Sequence, residues 1–265
     1  MSSVASQVIL HPIVSQSLKV LGTNLGRDKL YRAIQYFSRF LSWYLLVKGY
    51  KIEAARWNAL KNHLALGRKL MRLGKPVEHL QAALRASQST GEIAEQITTI
   101  CRQVGYFGYL TYDALVWANT VKFFNLKPST AQKVGKNANR FWLAGILFSI
   151  AHGLFKAGRI ANEVSKLRSG HLTDKGENVD REVKRNALRV AREATRQQFT
   201  IDILDLWIPA SNLGLTNLND GVLGIFGLVS SVSGPSTEKL SERYVSSLIT
   251  SLIAFRQQWI AVTSK

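Results

Sequence analysis

Closely spaced basic side chains are the most chemically suggestive feature of this 265-residue sequence. Between positions 61 and 75 they recur at helical spacings with no acid among them. On a helix turning about 100° per residue, four of them share an arc of about 60° and the fifth flanks it. Each Lys or Arg near an anionic surface contributes about 1 kcal/mol of attraction, so the array predicts anion binding. The members of this cationic face are Lys61, Arg68, Lys69, Arg72 and Lys75.

The opposite half of the same predicted helix is apolar. A purely cationic face backed by an apolar face is typical of a helix that lies in a membrane interface. We therefore expect residues about 57–75 to insert into one leaflet of an anionic phospholipid membrane. An ordinary bundle helix, with its apolar face inward and its basic face in water, is the alternative. The apolar side chains are Leu60, Leu64, Leu66, Leu70, Met71 and Leu73.

Catalytic and metal-binding patterns are not found in the sequence. The five histidines lie in unrelated contexts, and no phosphate-binding glycine loop precedes a helix. Asp202 and Asp205 are three residues apart among apolar residues, which does not make an active site. Asp113, inside YLTYDALVW, is expected to bond to a neighbouring helix or a basic partner. The sequence predicts no enzyme activity, no metal and no cofactor.

The composition and the positions of glycine and proline predict the fold class. The net charge of +18 indicates an anionic partner, and 46% hydrophobic residues require a large buried or lipid-covered surface. Aromatic–basic interleaving is missing from the cationic segment, so nucleic acid is not the expected partner. Glycine and proline divide the chain into helix-length blocks without strand-like alternation. We expect an all-α, membrane-associated protein with amphipathic helices and short apolar helices or hairpins.

The same glycine and proline residues predict several helix boundaries. One helix is expected from Asp28, as its N-cap, to about Lys48, and another from Ile52 to Leu73, where a left-handed Gly74 and Pro76 end it. The apolar runs fall short of the roughly 18–20 residues of a clean membrane span. The glycines of GVLGIFG indicate a close helix-packing face. The apolar runs are 141–155, 221–237 and 244–255, and the expected regions are 1–167, a polar linker 168–180, and 181–265.

A second basic segment runs from Arg181 to Arg196, with mostly small residues between its cations. Glu182 and Glu193 lie within it, so a solvated helix face is one interpretation. The other is a surface that faces phosphates or a protein partner. The candidate partner-binding residues are Arg185, Arg189 and Arg192.

The stretch GRDKLYRAIQYFSRFLSWYL resembles the opening signature of the peroxin-11 family of peroxisomal membrane proteins, most closely its fungal branch. LGRKLMRLGKPVEHL is similar to the family's membrane-inserting amphipathic helix. The resemblance continues through DALVWANTVKFFNL and GVLGIFGLVSSVSG, so it covers most of the chain. The signature residues are Asp28, Lys29, Arg32, Gln35, Tyr36 and Arg39.

The resemblance implies a protein of the peroxisomal membrane that elongates the organelle before fission and promotes peroxisome proliferation. It also implies self-association into a homo-oligomer and contact with a dynamin-related GTPase and fission adaptors. The alternative that it implies is a peroxisomal membrane pore for small metabolites.

Overall fold

The computed structural model describes residues 12–169 and 175–233, and every regular element in these ranges is an α-helix. The predicted all-α class is therefore confirmed for the described part of the chain. The helices are α1 (Pro12–Leu21), α2 (Asn24–Val47), α3 (Lys51–Leu70), α4 (Lys75–Ser87), α5 (Ile93–Thr120), α6 (Pro128–Ser169), α7 (Lys175–Asn212) and α8 (Asp220–Val232).

Six of these helices form a closed ring, in which each helix packs against the next. α2 contacts α3, and α3 contacts α5. Around the rest of the ring α5 contacts α6, α6 contacts α7, α7 contacts α8, and α8 contacts α2. α4 packs against α5, and α1 packs against α2. The ring gives these helices a shared interior, so residues far apart in the sequence can meet there.

Many large apolar side chains of this ring are exposed, while four charged side chains are buried beside its apolar core. Large apolar residues such as Ile52, Leu84 and Ile93 are 68%, 58% and 71% exposed. A water-soluble bundle buries such residues and leaves charges outside, whereas a protein surrounded by lipid turns its ionisable groups toward its own interior. The described ranges therefore have the side-chain distribution of a membrane-associated protein. The buried charged side chains are Arg68, Asp113, Asp202 and Asp205.

α2 begins four residues before the predicted start. The hydroxyl oxygen of Thr23 accepts a hydrogen bond from the Gly26 amide at 3.0 Å and caps the helix. The prediction of Asp28 as the N-cap is therefore wrong. Asp28 lies one turn inside α2, and its carboxylate is paired with Arg68 instead. A contact that spans forty residues overrides the local capping preference.

The break after α3 differs from the predicted one. α3 ends at Leu70, a turn occupies 71–74, and Gly74 has φ −81°, so it is not left-handed. Pro76 lies in the first turn of α4, where its missing N–H is tolerated. Pro76 thus starts α4, and it does not end α3, whose last residue is Leu70. Arg72 and Lys75 are consequently placed by the turn and by α4, and not by the α3 wheel.

α6 contains the predicted apolar run 141–155 and is longer than that run. Over Pro128–Leu167 it is the one helix in the described ranges that is long and apolar enough to cross a membrane, judged by length and composition alone. The expectation that every apolar run is too short for a span is wrong here, because residues flanking the run extend the apolar window. The predicted apolar helix at 244–255 lies outside the described residues.

The predicted glycine face on α8 is confirmed. Gly221, Gly224 and Gly227 lie against the aromatic side of α2, formed by Trp43, Phe40 and Tyr36. A Cβ atom on Gly224 would lie 2.7 Å from the backbone nitrogen of Phe40, closer than real Cβ contacts. Only glycine lets the two helices approach this closely.

α7 starts at Lys175, inside the predicted polar linker 168–180. Helices from both sides of 168–180 contact each other within the ring. The division of the chain into two regions stays a prediction.

Candidate functional site

The ring contains a partly open cavity of about 550 Å³, called here the charged cavity. Its wall carries seven basic and four acidic side chains. They come from α2, α3, α4, α5 and α7 and from the turn after α3, so only the closed ring brings them together. The basic ones are Lys29, Arg32, Arg39, Arg68, Lys69, Arg72 and Lys75, and the acidic ones are Asp28, Asp113, Asp202 and Asp205.

All six signature residues of α2 line the charged cavity. Their spacings of three and four residues put Asp28, Arg32, Gln35 and Arg39 on one side of the helix, and this side faces inward. The Arg32 guanidinium bonds to Asp205 on α7 and donates to the Ser230 hydroxyl on α8 at 2.9 Å. In the sequence, these residues stand out only by their resemblance to the family signature. The structure places all six at one cavity.

The cationic face of α3 turns toward the ring interior. Arg68 is only 6% exposed, and its Nε donates to Asp28 at 3.0 Å while a second nitrogen donates to Gln35 at 2.7 Å. The sequence predicts that this face meets a membrane surface, but in the described conformation it meets acids of α2 and α5. The role of this face in membrane binding stays a prediction. For the face to reach a membrane, α3 must first leave its place in the ring.

Asp113 on α5 is the second acid that holds this face. Lys69 Nζ lies 2.6 Å from one carboxylate oxygen, and an Arg72 guanidinium nitrogen lies 3.3 Å from the other. The expectation that Asp113 bonds to a neighbouring helix is therefore confirmed. Lys75 also lines the cavity, whereas Lys61 is partly buried and lies outside the lining.

Half of the predicted apolar side chains of α3 and the turn after it face outward. Leu60, Leu70 and Leu73 are exposed, with Leu70 at 52%, and α4 continues this character with exposed Val77, Leu80 and Leu84. These six side chains are called here the outer apolar residues. The remaining predicted members of the apolar face are partly buried, namely Leu64, Leu66 and Met71. The segment is amphipathic as predicted, but it has the orientation opposite to that of a soluble bundle helix.

Burial changes the protonation behaviour of the cavity wall. It raises the pKa of Asp202 to about 6, although Ser149 and Gln198 donate hydrogen bonds to the carboxylate at 2.6 and 2.8 Å. Burial opposes ionisation of Asp28 as well, yet the nearby guanidinium of Arg68 keeps the pKa of Asp28 below its ordinary value. Burial, and then the neighbouring Arg32, lower the pKa of Lys29. The wall is therefore poorly solvated: burial disfavours the charged forms of Asp202 and Lys29, whereas the cations around Asp28 favour its ionised form.

The basic segment on α7 is a separate, outward surface. Arg185, Arg189 and Arg192 are exposed. The last two also line a groove between α6 and α7, together with apolar residues such as Ile160 and Phe199. The structure thus leaves these cations accessible to a partner. Among the described residues, no group of three or more His, Cys, Asp or Glu side chains could hold a metal ion.

Comparison with known proteins assigns relatives to most of the chain. The model of the family described as peroxisomal biogenesis factor 11 matches residues 14–237. Peroxisomal membrane protein PMP30A of Candida boidinii is 29% identical over 245 residues, which cover 87% of this chain and 96% of that protein. Peroxisomal membrane protein PMP27 of Saccharomyces cerevisiae is 25% identical, with the same two coverages. Peroxisomal biogenesis factor 11 of Schizosaccharomyces pombe is 22% identical over 223 residues, which cover 81% of this chain and 90% of that protein. No solved structure matches the chain.

Proposed function

Because the chain belongs to the peroxisomal biogenesis factor 11 family, whose members are peroxisomal membrane proteins that act in peroxisome proliferation, we propose that it remodels that membrane. It inserts the segment around α3 into the cytosolic leaflet, and this insertion curves and elongates the organelle. A helix embedded in one leaflet occupies headgroup area without reaching the other leaflet. The resulting area difference bends the bilayer and prepares it for fission.

The exposure of the outer apolar residues is the observation that carries this proposal. Full burial of a leucine is worth roughly 1.5–3 kcal/mol, so a half-exposed leucine that enters the acyl region gains on the order of 1 kcal/mol. Six such side chains on α3 and α4 together supply several kcal/mol of membrane affinity. No rearrangement of the ring is needed for this first contact.

The cationic face acts in a second step of the proposed mechanism. In the ring, Arg68 pairs with Asp28, while Lys69 and Arg72 share the carboxylate of Asp113. When α3 separates from α2 and α5, phosphates of anionic lipids replace these carboxylates. The complete cationic face, Lys61, Arg68, Lys69, Arg72 and Lys75, then lies at the headgroups.

Vesicle tubulation by the purified full-length protein tests the proposal. The variant Leu70→Gln/Leu73→Gln/Leu84→Gln removes three exposed apolar side chains, and we expect at least tenfold weaker vesicle binding without tubules. The control Val183→Gln/Val190→Gln changes exposed residues of α7 and keeps full activity. Circular dichroism confirms that both variants are folded. Normal tubulation by the triple variant contradicts the proposal.

The proposed protein partners are a second copy of the chain and a dynamin-related GTPase with its fission adaptors. The exposed Arg185, Arg189 and Arg192 are the proposed surface for the GTPase. Changing all three to Glu abolishes GTPase recruitment to vesicles if this assignment is right. Changing the exposed Lys51, Lys127 and Lys133 to Glu alters the net charge equally and leaves recruitment intact. Equal recruitment by both variants contradicts the assignment.

A metabolite pore is a second candidate function, and the closed ring favours it. The ring has a cation-lined cavity and many exposed apolar side chains, which are two features that a solute pathway through a membrane needs. Solute release from vesicles that contain the full-length protein tests this candidate. Release equal to that of protein-free vesicles contradicts it, whatever the outcome of the tubulation assay.

A further inference from the structure

The charges on the wall of the charged cavity do not balance. Asp113 is shared by two cations, Lys69 and Arg72, so one of these two charges is not neutralised. Lys29 and Lys75 also line the cavity, and neither makes an ion pair with any residue in the described ranges. The wall therefore carries more positive charge than its own acids compensate.

The remaining acid does not remove this excess. Asp202 accepts hydrogen bonds from Ser149 and Gln198 and has no cation among its described hydrogen-bond and ion-pair partners. Its single charge, even when fully ionised, is smaller than the combined excess of Lys29, Lys75 and the Lys69–Arg72 pair. Arg32 adds a further donor, because its Nε is buried without a hydrogen-bond partner in the described part of the chain. Such groups are costly unless a ligand or water satisfies them.

The excess cations surround one volume. Arg68, Arg72 and Lys75 all lie close enough to Asp28 to stabilise its ionised form, and Lys29 is the next residue on α2. Cations that are poorly solvated and held together in this way repel one another, and a bound anion relieves that repulsion.

We propose that the charged cavity binds a phosphate-bearing anion, which is held by Lys29, Arg72 and Lys75. Guanidinium and ammonium groups are the preferred ligands of phosphate oxygens in proteins. A volume of about 550 Å³ accommodates a phosphate or pyrophosphate group with a small organic substituent. Tyr109 and Trp142, whose rings stack with centroids 5.0 Å apart, also line the cavity and can contact that substituent. The site exists only in the closed ring, because the proposed insertion moves Arg72 and Lys75 to the lipid headgroups. It binds its anion whether or not solutes pass through the ring.

Calorimetric titration with pyrophosphate tests the site, using the full chain in nanodiscs of neutral phosphatidylcholine. The variant Lys29→Gln/Lys75→Gln lowers the affinity at least tenfold and leaves the ion pairs of the ring in place. The matched control Lys127→Gln/Lys133→Gln removes two exposed lysines outside the cavity, and it binds like the parent. Equal affinity of the two variants overturns the proposal, and so does a parent protein that binds neither millimolar pyrophosphate nor phosphatidylinositol phosphate.

A second measurement uses the unaltered protein and does not depend on how the variants fold. Lysine acylation followed by mass spectrometry reports whether Lys29 and Lys75 are shielded while Lys127 and Lys133 still react. Shielding by added pyrophosphate identifies a free phosphate compound as a sufficient ligand. Shielding only in nanodiscs that contain phosphatidylinositol phosphate identifies a lipid headgroup. Shielding in neither condition overturns the proposal, and none of these outcomes depends on vesicle tubulation.

Discussion

Replacement of Arg68 separates a role inside the ring from a role at the lipid surface. We expect Arg68→Met to destabilise the protein strongly, because the change leaves the carboxylate of Asp28 and the amide oxygen of Gln35 without their donor in a poorly solvated place. The side chains of Arg68 and Asp28 are only 7% and 15% exposed, so solvent compensates little.

The expected magnitude follows from the burial of this pair. Removing one partner of a buried ion pair costs about 3–5 kcal/mol. For a chain of this size, 1 kcal/mol shifts the melting temperature by roughly 2–4 °C, so we expect a loss of roughly 6–20 °C. If Arg68 instead faced lipid, its loss would weaken vesicle binding by about 1 kcal/mol and leave the melting temperature unchanged.

Thermal unfolding in detergent, followed by circular dichroism, measures the shift in a double-mutant cycle. Asp28→Asn alone is also destabilising, since it leaves Arg68 buried without a counter-charge. The double variant Asp28→Asn/Arg68→Met recovers most of the loss, because replacing both partners of a buried pair is often nearly neutral. An Arg68→Met protein that melts like the parent but binds anionic vesicles more weakly would refute the reasoning.

Three further predictions concern packing, pH and membrane-coupled folding. Gly224→Ala destabilises the protein by about 1–3 kcal/mol, because the added Cβ would meet the backbone of Phe40. Gly158→Ala adds its Cβ in open space and leaves the stability unchanged, and the melting temperatures of the two variants test this difference. Burial raises the pKa of Asp202 from 3.8 to about 6, so the free energy of unfolding falls as pH rises from about 4 to about 6. Asp202→Asn flattens this change in denaturant titrations across that window, and an unaltered slope contradicts the assignment. Peptide 52–79 is largely unfolded in water and becomes helical on anionic vesicles, since an isolated helix needs its apolar face buried; equal helicity with and without vesicles contradicts this.

The sequence predicts the composition of each face of α3 but not the direction in which each face points. A helical wheel separates Leu60 and Leu70 from Arg68 whatever surrounds the helix. In water the apolar half packs inward, whereas in lipid it can face outward, and the pattern is identical in the two cases. Asp28 and Asp113 decide which way the helix faces, because they bind its cations. Both acids lie forty or more residues from those cations along the chain.

The same limit explains the errors at the helix ends. Asp28 is a good N-cap by its residue type, but its carboxylate is engaged by Arg68, and Thr23 caps α2 instead. The packing of Gly224 was predictable, because glycines at helical spacing in an apolar helix typically form a close-packing face. The charged cavity was not predictable, since it exists only where α2, α5 and α7 converge. Its one available signal was the helical spacing of the signature residues on α2.

Closure of the ring by α8 also fixes an order of events during synthesis. Arg32 and Ser230, which are hydrogen-bonded across the seam between α2 and α8, are 198 residues apart in the chain. Contacts over such distances form late, because the loop between them must first be ordered. Until residue 232 has left the ribosome, the aromatic side of α2 lacks its cover of glycines from α8, and Arg32 lacks its Ser230 partner. The nascent chain therefore exposes this aromatic side of α2 for most of its synthesis, until α8 has been made.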